Sequence, residues 1–89
     1  MRKREIMIHT FRQTLEVNGY NFDFSFYGLH TVNGKRFFVM AHDNNSNEHI
    51  VFHMTKTNGK WMIVDEVPGW ITEIEEQLSD MILKNSDTA

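Results

Sequence analysis

Three Asn-Gly pairs, Asn18-Gly19, Asn33-Gly34 and Asn58-Gly59, punctuate a chain whose apolar and polar residues otherwise alternate. Asn-Gly suits the two-residue type I′ turn, in which both central residues take positive φ and the turn twists in the same sense as the strands it joins. Alternation on both sides of such a pair is the signature of a β-hairpin. A fourth reversal lies in the polar run Asp43-Asn44-Asn45-Ser46-Asn47-Glu48. The spacing predicts an antiparallel β-meander of five strands, at about 6–17, 20–32, 35–42, 49–57 and 60–67.

A two-residue turn fixes which residues face each other, so the four reversals test one another. Around Asn18-Gly19, Val17 is set opposite Tyr20, Leu15 opposite Phe22 and Phe11 opposite Phe26. Around Asn33-Gly34, His30 is set opposite Phe37, Gly28 opposite Val39 and Phe26 opposite Ala41. The polar loop places Ala41 with Ile50, Val39 with Phe52 and Phe37 with Met54; the last turn places Met54 with Ile63 and Lys56 with Trp61. Opposed residues share a face. One continuous apolar face results, running from Phe11 and Leu15 through the Phe22, Phe24 and Phe26 series to Trp61 and Ile63, with Tyr20 and Val32 at its margins. A slip of one residue at any turn would send a strand's apolar set to the wrong side. Gly28, inside the long second strand, predicts a bulge or sharp bend there.

Pro68-Gly69 ends the sheet. Ile71, Ile74, Leu78, Met81 and Ile82 then recur at spacings of three and four, which predicts one amphipathic helix over about 70–85, with Trp70 at its entrance. Glu73, Glu75 and Glu76 suit the positive end of the helix dipole as a solvated run, and Lys84 the negative end. The fold class read from the sequence is α+β: a curved five-stranded meander with one C-terminal helix packed on its aromatic face, in a single domain of 89 residues.

The chain has no cysteine, which excludes disulfides, thiol catalysis and zinc–thiolate sites. No apolar run approaches the roughly 20 residues that span a bilayer, and the three apolar residues that follow the charged start Met1-Arg2-Lys3-Arg4-Glu5 are too few for a signal peptide. The expectation is a cytoplasmic protein, bacterial in style, without a membrane partner. No phosphate-binding glycine loop, nucleophile elbow or dinucleotide fingerprint occurs, so a non-enzymatic protein without a cofactor is expected.

The histidines are the remaining candidates for chemistry. His42 and His49 should face each other beside the polar loop, with Asp43 and Glu48 adjacent and His53 further along the same face. Structural metal sites ordinarily need four ligands, and surface histidines without metal are expected here. His30 is placed at the rim of the core near Phe37. Asp65 is placed on the core face opposite Phe52, where a bare carboxylate is costly, so it is expected to accept hydrogen bonds from nearby backbone N–H groups.

The other face of the sheet divides in two. On the first two strands it is polar: Arg12, Thr14, Glu16, Asn21, Asp23 and Ser25. On the last three it carries Phe38, Met40, Val51, Met62 and Val64 with no second helix to cover them. Uncovered apolar surface marks interaction sites, and two-fold dimers are the commonest assembly. The expected role is a protein-interaction module, homodimeric through this half of the sheet; the competing expectation is that Met1–Ile8 or the C-terminal tail folds across it. Two further readings are weaker. Arg12, Tyr27, Lys35, Arg36 and Lys60 combine basic and aromatic groups, the composition of a single-stranded nucleic-acid surface. A net charge of −3 argues against it. In layout alone, a meander followed by one helix is similar to dimeric transcriptional coactivators that bind single-stranded DNA; no residue is carried over from that likeness. A small ligand between helix and sheet near Gly28 and His30 is the third reading.

Overall fold

A computed structural model describes residues 6–32, 34–44 and 46–85, with side chains from Phe11 onward. Five strands, β1 (Ile6–Val17), β2 (Tyr20–Thr31), β3 (Gly34–Asp43), β4 (His49–Thr57) and β5 (Lys60–Ile63), form one curled antiparallel sheet in sequence order. Two helical segments follow, α1 (Gly69–Glu73) and α2 (Glu75–Asn85). None of the described helices is long and apolar enough to cross a membrane.

The first and last Asn-Gly turns are as expected. Asn18 and Gly19 take φ of 53° and 86°, Asn58 and Gly59 54° and 86°, the left-handed values that a type I′ turn requires. Three of the four registers match the sequence reading: Phe11 faces Phe26, Val39 faces Phe52 and Lys56 faces Trp61.

The β2–β3 register differs by two residues. Thr31 faces Gly34, and Gly34 joins β3 with a φ of 117°, whereas Asn33 lies outside the described residues. The Thr31 hydroxyl donates to the Gly34 carbonyl at 2.7 Å. Phe37 therefore faces Gly28, Val39 faces Phe26 and Ala41 faces Phe24. A shift of two keeps every side chain on its own face, so the alternating pattern does not detect it. Volume explains the observed choice: a phenyl ring lies beside the residue without a side chain, and Ala41 lies beside Phe24. Val32, moved into the turn, is 74% exposed, and Tyr20 is 55% exposed. The expected bulge at Gly28 is not there; it lies in β1, between His9 and Phe11, opposite Tyr27 and Phe26.

The core is the predicted face. Phe24, Phe26, Phe37, Val39, Phe52 and Met54 are fully buried with Trp61, under Ile71, Leu78 and Ile82 of the helices. Phe37 meets Trp61 edge to face, with centroids 5.0 Å apart, and Phe11 stacks on Phe26 at 4.3 Å. Burying each such ring contributes about 2–3 kcal/mol before entropy is counted.

The single helix of the sequence reading is two pieces, and β5 ends at Ile63 rather than 67. The Pro68 carbonyl accepts from the N–H groups of Ile71 and Thr72, starting α1. The Ile74 N–H then bonds the Ile71 carbonyl, three residues back, a tighter turn that separates α1 from α2 while keeping Ile71, Ile74, Leu78 and Ile82 all inward.

α2 also seals an edge. The Val64 N–H donates to the His53 carbonyl, and strand alternation then directs the N–H groups of Trp61 and Ile63 away from β4. Ser79 Oγ accepts the first at 2.9 Å and Glu75 Oε2 the second at 2.7 Å. Two side chains one helical turn apart thus occupy donors that would otherwise template another strand. Glu75 is accordingly part of this docking, not of a solvated acidic run.

Candidate interaction surface

On the face away from the helices, strand alternation presents three short cross-strand rows. Ser25, Met40 and Val51 form one; Tyr27, Phe38 and His53 the next, with Val64 bonded beyond His53; Leu29, Arg36, Thr55 and Met62 the third. Val51, Met62 and Val64 are 46%, 40% and 53% exposed, while Phe38 and Met40 are half-buried. Of the five residues predicted from the sequence, Phe38, Met40, Val51 and Met62 share this face by their pairing, while Val64 follows the end of β5 and is exposed. Leu29, which adjoins them, is buried outside the main core cluster.

The patch is not uniformly apolar. The Phe38 ring lies 6.2 Å from Tyr27 and 5.2 Å from His53, centroid to centroid. His53 is bound in turn to Asp65, whose Oδ2 accepts the His53 backbone N–H at 2.6 Å and lies 3.0 Å from Nδ1. The hydrogen bond from the His53 side chain, against a smaller opposing effect of burial, holds the Asp65 carboxyl below its usual range. Asp65 therefore does accept a backbone N–H, but it is exposed beside this surface and not on the core face. The β5 strand stops two residues before it, which releases it from the alternation assumed for a longer strand.

His42 and His49 face each other with rings 4.6 Å apart and nearly parallel. The neighbouring Asp43 is turned into its own loop, where its Oδ2 accepts from the Ser46 hydroxyl at 3.4 Å. Among the described residues no group of three or more histidines and carboxylates gathers in a metal-binding arrangement. His30 is exposed and pairs with Lys35 rather than lying beside Phe37 at the rim of the core.

The basic residues are dispersed. Arg12, Tyr27 and Arg36 lie on the outer face. Lys35 has its ammonium 5.3 Å from the Phe37 ring on the other side, and Lys60 is drawn toward α2 by Glu76 at 3.5 Å. Gly28 faces Phe37, which is fully buried in the core together with Phe26. An open cleft of about 310 Å³ lies instead at the opposite end of β2, lined by Val17, Asn18, Tyr20, Phe22, Asp43 and Trp70. There Phe22 and Trp70 stack at 4.3 Å. The sequence pattern marks both rings as core; Tyr20, an amphipathic ring directly beside a polar turn, is the signal that this end is open.

Comparison of the chain with protein families, with curated proteins and with solved structures finds no match.

Proposed function

We propose that this chain is a non-enzymatic protein-interaction module that works as a homodimer, with the uncovered apolar half of its outer face as a contact surface. The observation that carries the reading is the exposure of Val51 and Met62 on adjoining strands and of Val64 just past the end of β5, next to Phe38 and Met40, with no described element packed over them. Burying such residues removes apolar area from water at about 25 cal/mol per Å², which favours a two-fold contact that uses the patch twice. The dispersal of the basic residues gives the nucleic-acid reading no comparable support.

Light scattering coupled to gel filtration tests the proposal. At roughly 50 μM, well above the dissociation constant of a stable dimer of standard interface size, the wild type is expected at a multiple of the 10.6 kDa chain mass. Val51→Asp and Met62→Asp, both at exposed positions, should lower that mass while leaving the circular dichroism of the folded chain unchanged. A monomeric wild type, or a mass indifferent to both substitutions, would remove the basis of the proposal.

A further inference from the structure

The sheet has two edges, and they are treated differently. At β5 the outward N–H groups are taken by Ser79 and Glu75. At β1 no described residue bonds to the outward backbone. The Asn18-Gly19 turn makes Val17 and Tyr20 a hydrogen-bonded pair, as the residues flanking a two-residue turn are. In an antiparallel ladder such pairs alternate with non-bonded ones. Val17, Leu15, Gln13 and Phe11 therefore bond to β2, and the N–H and C=O groups of Arg12, Thr14 and Glu16 point out of the sheet.

We infer that this edge pairs with the same edge of a second copy, antiparallel about a two-fold axis at Thr14, to make one continuous ten-stranded sheet. Two-fold pairing on Thr14 sets Thr14 opposite itself and Arg12 opposite the partner's Glu16, so that every outward backbone group in the segment finds its complement. Both charged side chains are exposed and neither has an ion-pair partner among the described residues. Within one chain they stand apart: four strand steps separate their Cα atoms by about 13 Å, with Thr14 between them on the same face. Across the axis each meets the opposite charge, twice. Moving the axis to Arg12 or to Glu16 opposes like charges, and moving it to Gln13 or Leu15 sets the charges against Thr14, so charge selects the register. The core side agrees. Phe11, Leu15 and Val17 are only half-buried because β1 is terminal, and the pairing brings the partner's Val17 beside Phe11.

This contact is independent of the outer-face contact proposed above. Its axis is normal to the sheet and that of a face-to-face contact lies in the sheet plane, so a closed assembly can hold both.

The test is a charge exchange read by sedimentation equilibrium. Arg12→Glu and Glu16→Arg each replace two attractive cross-strand pairs by two repulsive ones, and each alone should weaken association roughly tenfold or more. Mixed in equal amounts, the two variants should associate with each other about as well as the wild type does with itself, and the double exchange R12E/E16R should self-associate. Both positions are exposed, so unchanged circular dichroism is expected for all. Three results would each overturn the inference: a wild type that shows no association up to millimolar concentration, single variants that associate like the wild type, or single variants that are weakened but not rescued in the mixture. Association abolished by Val51→Asp and indifferent to the charge exchange would assign self-contact to the outer face alone. Sensitivity to the exchange with indifference to Val51→Asp would leave the edge contact standing without the other.

Discussion

Replacing Ser79 by alanine isolates the contribution of the sealed β5 edge. Ser79 is 3% exposed and Trp61 is 1% exposed, so the N–H of Trp61 that Ser79 Oγ accepts at 2.9 Å has no route to water. Removing the acceptor leaves a buried donor unpaired, which costs about 1–3 kcal/mol. Alanine returns up to about 0.5 kcal/mol of helix propensity. The net loss expected is about 1–2 kcal/mol, a fall in Tm of about 5–15 °C for a domain of this size. Guanidinium unfolding followed by tryptophan fluorescence measures it, with an unchanged m-value to show that compactness is retained. Glu76→Gln is the control, since its pair with Lys60 is exposed on both sides and surface pairs contribute under about 1 kcal/mol. A Ser79→Ala protein within about 0.5 kcal/mol of wild type, or no less stable than the control, would refute the claim that α2 holds this edge through hydrogen bonds.

Other expectations follow from the same structure. Phe37→Ala removes a fully buried ring that packs on Trp61 and faces Gly28, and should cost about 3–5 kcal/mol in urea unfolding; a loss below about 2 kcal/mol would mean the core collapses around the gap. Gly59→Ala forces a side chain into a φ of 86° and should cost about 1–2 kcal/mol, whereas Gly69→Ala, with open space around the added carbon, should be neutral or mildly stabilising. Asp65 has a folded-state pKa below its unfolded one, so its stabilisation is present above the ordinary carboxylate range and is lost as pH falls through the folded value. Wild type should therefore exceed Asp65→Asn in stability at pH 7, by under about 1 kcal/mol since the pair is solvent-screened, and the gap should close as pH falls through the folded value. A gap that persists in acid would place the effect elsewhere.

The parts of this fold that were legible in the sequence are those on which two independent local signals converge. Asn18-Gly19 and Asn58-Gly59 are each flanked by strands whose alternation agrees with the turn, and both registers are as read. Asn33-Gly34 satisfies the same rule and yet the β2–β3 register is two residues away from it, because a displacement of two residues in register leaves every side chain on its own face. What separates the alternatives is volume across the strands, Phe37 against Gly28 and Ala41 against Phe24, and a face pattern carries no information about volume. The helix was legible as a stripe but not as two pieces, since Ile71, Ile74, Leu78 and Ile82 stay inward through the tight turn at Ile74.

The candidate surface shows the same limit from the other side. Alternation alone assigned Phe38, Met40, Val51, Met62 and Val64 to one face. It placed Asp65 on the wrong one because it assumed that β5 continues past Ile63. Polar residues with a specific partner are the least visible in such a pattern. Glu75 and Ser79 read as an ordinary helix surface, although they are the acceptors for the edge strand. Arg12 and Glu16 read as an ordinary polar strand face, and the partner inferred for them lies in another molecule. What distinguishes these two pairs is the edge each one borders. The outward N–H groups of a terminal strand can template another strand, and among the described residues Ser79 and Glu75 occupy them at β5. Among the described residues the β1 edge has no such cap, and the pairing inferred above gives its self-complementary charges their partners in a second copy.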